Sequence, residues 1–193
     1  MALLSNPRFR VLVVAGFGLA LLTMNDAFVY LVLQRRMGFG ISYFPLLFVV
    51  TALLYMLLAI PFGRLADRFG RGRVFIGGYA VLALVYASLL LPAIGPLQVI
   101  VTLGLLGAYY AMTDGVLAAL ASAILPSELR GSGLGLLGTA TGVARLIASV
   151  LFGVLWTFWD VTGAVTAFLV GLVLLTVIGG LILSRRLTSP TNA

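Results

Sequence analysis

Apolar stretches of some twenty residues recur from one end of this chain to the other, and within them apolar and polar positions do not alternate. At about 1.5 Å per helical residue, each stretch reaches across the roughly 30 Å of hydrocarbon in a bilayer. Lipid offers backbone groups no partners, so only helices and closed barrels span it, and a barrel needs alternation. The chain therefore reads as an all-α membrane protein. Composition agrees, since 62% of its 193 residues are hydrophobic and only 9% are charged, far from the balance of a soluble domain.

Six transmembrane helices are expected, over about 11–33, 44–62, 74–93, 97–125, 134–159 and 164–183, as one domain covering residues 1–193. Breaks are marked by Gly38 and Gly40, by the stretch from Gly63 to Arg73, by Pro92 and Pro96, by Pro126 and by Gly163. Such short connections make successive helices antiparallel neighbours. The first stretch is too long for the core of a signal peptide and lacks a small-residue cleavage site with a polar stretch behind it, so it reads as a retained helix. The final LTSPTNA reads as a short disordered tail.

Cysteine and histidine are both absent. Disulfides, thiolate or imidazole metal sites, and nucleophile–histidine catalysis are thereby excluded, so no metal, no cofactor and no enzymatic activity is expected. The formal net charge of +7 comes with 12 basic residues, all arginine. In a soluble domain that balance would suggest nucleic acid; here the arginines lie between apolar spans, and their partner is the lipid bilayer. Arg8, Arg10, Arg64, Arg68, Arg71, Arg73, Arg130, Arg185 and Arg186 fall on one side of the expected helices, and only Arg35 and Arg36 on the other. The positive-inside rule then makes both termini cytoplasmic, in a multi-pass protein of the cell (inner or plasma) membrane.

Three ionisable residues remain inside spans: Asp26, Asp114 and Arg145. Each is costly in hydrocarbon, should face the bundle interior or a wet cavity, and is a functional candidate for that reason. Asp114 and Arg145 stand equally far from the middle of the PSELRG turn joining the fourth and fifth spans, which places them at one depth near the midplane. Gly131, Gly135, Gly138, Gly142, Arg145, Ser149 and Gly153 form a small-residue stripe on the fifth span. Gly107, Ala111, Asp114, Ala118 and Ala121 form another on the fourth. Two such stripes let backbones approach closely, with an intramembrane ion pair at their seam. The pair either only fixes helix register or is opened during a functional cycle.

Asp26 lies past the middle of the first span with no arginine at a matching depth. With Asn25, Thr23 and Tyr30 nearby it is a candidate to line a path for protons or solute; the bland alternatives are hydration at the outer surface, or a reach to Arg35 or Arg36. Tyr109 and Tyr110, just before Asp114, are in a position to turn one ring toward such a cavity.

The stretch GRLADRFGRGR, residues 63–73, joins the second and third spans. Gly63, Asp67, Arg68, Gly70, Arg71 and Arg73 match G-x-x-x-D-R-x-G-R-x-R, which resembles the signature loop of the major facilitator superfamily. PSELRGSGLG, residues 126–135, looks like the loop before the fifth helix of a superfamily half. The fourth span has no arginine of the kind many first halves carry, and GAYYAMTDGVLAALASAILPSELRG looks more like helix ten and its following loop. The chain is thus similar to one six-helix half, the C-terminal one, with helices seven to twelve running from about Arg8 to Arg186.

That resemblance implies a secondary transporter working by alternating access around a midplane site, exporting small molecules against protons with Asp26 or Asp114 as the titrating group. It puts Asn25, Asp26, Tyr30, Tyr110 and Asp114 on or near the path, and makes 63–73, with Glu128 and Arg130 on the same face, a cytoplasmic gate. Asp67 would meet a helix end of the opposite half. Helices two and five would form the contact between halves. A complete member has about twelve helices, so a second six-helix half or a second copy of this chain is the implied partner, beside a small-molecule substrate. The other reading is a truncated or accessory membrane protein that binds a transporter without transporting by itself.

Overall fold

The computed structural model describes residue 3 and residues 6–92 and 95–188, with 180–188 as backbone alone. The side chains of Arg185 and Arg186, and the expected tail beyond Thr188, lie outside the described residues. Among the described residues six helices follow in order: α1 (Pro7–Ala20), α2 (Asp26–Met37), α3 (Phe44–Phe69), α4 (Arg71–Leu90), α5 (Pro96–Ile124) and α6 (Arg130–Thr188). Four helical stretches among those residues are long and apolar enough to cross a membrane: Ile41–Phe69, Arg71–Leu90, Pro96–Ile124 and Ser127–Gly179.

The last of these covers 53 residues, about 80 Å if straight and more than twice the thickness of the hydrocarbon. It is not straight. Asp160 has φ 72° and ψ 171° inside α6, and Phe152 and Phe168, eight residues to either side, stack edge to face with ring centroids 5.1 Å apart. A continuous helix would hold those rings roughly 24 Å apart, so α6 folds back on itself at Asp160. The sequence points to Gly163 for this break; it falls instead at an aspartate whose Oδ1 accepts the Thr162 amide at 2.7 Å, capping the second arm.

The 11–33 stretch also departs from a single helix. Helical structure stops at Ala20 and resumes at Asp26, leaving two pieces of 14 and 12 residues. Polar partners make the interruption tolerable in apolar surroundings. Asn25 caps α2, its Oδ1 accepting the Ala27 amide at 2.9 Å, and the Thr23 hydroxyl donates to the Leu19 carbonyl at 3.1 Å. The buried Tyr86 of α4 spans the gap, donating to the Leu22 carbonyl at 3.0 Å and accepting the Met24 amide at 2.9 Å.

The charged stretch 63–73 is not an open loop. α3 continues through Pro61 to Phe69, and α4 begins at Arg71. Gly63 is an ordinary helical residue; the whole connection is Gly70, at φ 98°, a conformation an L side chain resists.

Contacts sort the helix ends. Phe9 of α1 is buried with Ala121 and Leu125 at the end of α5 and Leu137 of α6, and Arg71 Nη1 donates to the Ala119 carbonyl at 3.4 Å. At the opposite end Arg36 Nη1 donates to the Leu91 carbonyl at 2.7 Å, and the Arg35 guanidinium lies 4.9 Å from the Trp156 ring centre.

Between the ends, α4 and α5 form the packed centre, with Tyr79, Leu82, Val85, Tyr86, Leu106 and Tyr109 all at most 3% exposed. Two glycines set the closest crossings. A Cβ at Gly78 would lie 2.6 Å from Thr113 Cγ2, and one at Gly107 would lie 2.7 Å from Leu54 Cβ, so α5 meets α4 and α3 nearly backbone to backbone.

The expected seam between the small-residue stripes of the fourth and fifth spans does not form. A Cβ at Gly131, Gly135, Gly138 or Gly142 would meet nothing within 4 Å. The row beside it, Leu137, Ala144, Ala148 and Phe152, is the buried one, because it carries the side-chain volume that fills the bundle. The glycine face of α6 and most of α3, including Leu53, Met56, Leu57 and Ile60 at 52–72% exposure, are left uncovered.

Candidate functional site

Asp26 reaches its position through the break. Asn25 starts α2, so Asp26 occupies the first turn of a new helix, where the N-terminal dipole favours a carboxylate. Its Oδ1 accepts a 2.6 Å hydrogen bond from the Tyr110 hydroxyl, a short contact of the kind expected for a hydroxyl bound to a carboxylate. Asn25 is occupied as the cap and does not line the cavity beside Asp26; neither Arg35 nor Arg36 meets Asp26.

That cavity measures about 200 Å³ and is lined by Asp26 and Tyr30 of α2, Phe48, Thr51, Ala52 and Tyr55 of α3, and Tyr110 and Asp114 of α5. It has room for about six waters or one small solute. Tyr30 is fully buried; its hydroxyl donates to Thr51 Oγ1 at 2.9 Å, and its ring stands edge-on to Phe48 at 4.7 Å. The close approach at Gly107, one turn before Tyr110, brings the α3 and α5 walls together.

Asp114 is held differently. Arg145 Nη2 donates to its Oδ1 at 3.2 Å, with the two side chains 44% and 43% exposed. The pair joins α5 to the first arm of α6 although the glycine stripe around Arg145 stays open, because the long arginine crosses a gap that the backbones do not. Arg145 Nε is buried without a partner, and so is the Tyr109 hydroxyl. Of the two adjacent tyrosines, Tyr110 faces the cavity and Tyr109 turns into the core, its ring 5.6 Å from that of Tyr79.

The motif residues of 63–73 gather elsewhere, at the Phe9–Leu125 end of the bundle. Asp67 and Arg71 form an exposed i,i+4 pair at 3.0 Å, Arg68 lies over the Phe69 ring at 5.7 Å, and Gly70 makes the turn. Arg73 sits exposed in the first turn of α4. Arg130 Nε donates to the Leu125 carbonyl at 3.3 Å. No ion pair of Glu128 occurs among the described residues. Also among the described residues, no cluster of three or more potential ligands could hold a metal ion.

Sequence reasoning passes over Thr51, Tyr55 and Tyr86. Tyr86 carries a signal: a tyrosine deep in an apolar span needs a partner for its hydroxyl. Nothing in its spacing names the partner.

Fold and site together define a multi-pass helical membrane protein with two carboxylates facing a small cavity between its helices. The sequence pattern of the Major Facilitator Superfamily matches residues 3–193, and the chain belongs to that family, one of transporters and not of enzymes. It is similar to an uncharacterized MFS-type transporter of Methanocaldococcus jannaschii, with 33% identity over 135 residues, which are 67% of this chain and 33% of that protein. The chain thus matches about a third of that relative's length. No solved structure matches it.

Proposed function

We propose that the chain is one six-helix half of a proton-coupled transporter that exports small molecules by alternating access. In this reading α1 and α2 together make the first crossing and the two arms of α6 the last two, giving six spans with both termini cytoplasmic, in the cell membrane. A second half or a second copy covers the open face of α3 and α6. The 63–73 motif, with Glu128 and Arg130, serves as the cytoplasmic gate.

One observation carries the proposal: the hydrogen bond from Tyr110 to Asp26 in a cavity shared with the Asp114–Arg145 pair. A proton on Asp26 leaves a neutral, hydrogen-bonded carboxyl–phenol pair. A proton on Asp114 would take the countercharge from Arg145. Asp26 is therefore the proton carrier, and Asp114 the fixed countercharge whose pairing a solute can disturb.

The test is pH-gradient-driven efflux of a panel of fluorescent organic compounds from cells producing the chain. Asp26→Asn is expected to lower efflux at least tenfold at an unchanged membrane level; efflux unchanged in that variant contradicts the assignment. The second reading is an accessory membrane protein that binds a transporter without transporting by itself. It is separated by crosslinking: the chain has no cysteine, so Gly138→Cys gives one thiol on the open face. A disulfide-linked homodimer supports pairing of two copies, and a strict monomer that exports nothing supports the accessory role.

A further inference from the structure

Where α1 stops and α2 begins, the chain leaves backbone donors and acceptors that a continuous helix would have paired, in a part of the molecule where water is scarce. At the Leu22 carbonyl and the Met24 amide, the partner comes from neither piece of the broken helix. It is one atom, the hydroxyl oxygen of Tyr86, which donates to the first at 3.0 Å and accepts the second at 2.9 Å. Tyr86 is fully buried near the C-terminal end of α4, which is itself locked to α5 by the close crossing at Gly78.

Two residues after Met24 comes Asp26, whose carboxylate meets Tyr110 of α5. The position of Asp26 thus depends on where the break is held, and the break is held from α4. We propose that Tyr86 is a positioning residue: its hydroxyl pins the interruption of the first helix and so sets the start of α2 against α5, which puts Asp26 within reach of Tyr110. Without the pin the amide and carbonyl seek each other's neighbours, the interruption slides or heals, and Asp26 turns with the helix face it rides on. About four residues complete a turn, so a one-residue slide swings the carboxylate by about 100°.

The pin is a matter of geometry; only its bearing on transport rests on the reading of Asp26 as the proton carrier. Tyr86→Phe removes a single oxygen and keeps the ring that fills the core. In the full chain in lipid nanodiscs, amide hydrogen exchange over 22–28 is expected to accelerate about tenfold, with exchange in the centres of α4 and α5 unchanged. Labelling of Asp26 by a hydrophobic carbodiimide, which attacks carboxyl groups in membranes, is expected to change severalfold while labelling of Asp114 stays constant. Exchange over 22–28 equal to the parent, or equal labelling of Asp26, overturns the proposal.

Asn25→Ala, which removes the acceptor for the Ala27 amide at the same break, is expected to raise exchange in that segment by a smaller factor. If Tyr86→Phe does not insert, Tyr86→Met, which also lacks the hydroxyl, takes its place, and exchange over 22–28 equal to the parent in that variant overturns the proposal. Neither readout involves transport. Altered exchange and labelling together with normal efflux in Asp26→Asn would remove the proton-carrier reading and leave the pin standing.

Discussion

Asp26 and Asp114 line one cavity and are held in opposite ways. Asp114 meets a permanent cation, and the contact depends on a side chain from α6 reaching across an open face. Asp26 meets a neutral hydroxyl from α5 and sits where a helix starts. The first arrangement fixes a charge, because removing either partner leaves the other uncompensated. The second tolerates both protonation states, because a phenol donates to a carboxylate and a carboxylic acid keeps an acceptor oxygen for it. Two acids of one type, within one cavity, are thus held by different partners, one by a cation and one by a neutral hydroxyl.

The comparison breaks most readily at the arginine. Arg145→Ala is expected to destabilise the chain by about 2–3 kcal/mol, less than for a fully buried pair because both side chains are partly exposed. Denaturant unfolding in micelles measures this, and the double variant with Asp114→Asn should recover most of the loss. Gly107→Ala acts on both carboxylates together. By forcing α3 from α5 it is expected to cost about 2 kcal/mol and to widen the cavity, whereas Gly138→Ala on the open stripe should stay within about 0.5 kcal/mol of the parent.

Tyr110→Phe isolates Asp26. It removes one hydrogen bond at a partly buried site and should cost about 1 kcal/mol, while changing carbodiimide labelling of Asp26 and leaving that of Asp114 alone. The smallest effect is expected outside the cavity. Asp67→Asn breaks an exposed i,i+4 pair and should alter stability by only a few tenths, about 0.3 kcal/mol. A larger change there would mean that Asp67 has a partner beyond Arg71.

Much of the fold and part of the site are legible in the amino-acid sequence, and the illegible remainder has definite causes. Long apolar runs announce α3, α4 and α5, because hydrocarbon demands them. The Asp114–Arg145 contact follows from equal spacing about a short turn, which is local information. Asp26 and Tyr110 are 84 residues apart, and their meeting depends on an interruption that Thr23 and Asn25 scarcely mark within a greasy run. The glycine stripe of α6 shows the limit of another rule: small residues signal room for close approach, and the sequence does not say which helix, or whose, uses the room. At 63–73 the density of charge suggests a loop, although a helix extends past the apolar zone without penalty once its side chains are polar. At the turn within α6 glycine is the natural residue and an aspartate serves, because its side chain offsets part of the strained φ by capping Thr162.

Central to the proposed cycle is that Asp26, and not Asp114, changes its protonation state. Infrared difference spectra of the chain in lipid, recorded as pH is stepped, read this without knowledge of any substrate, since a protonated carboxyl has a carbonyl stretch separate from that of a carboxylate. The pH-dependent band is expected to vanish in Asp26→Asn and to persist in Asp114→Asn. A band that survives in Asp26→Asn and disappears in Asp114→Asn would contradict the division of roles between the two acids.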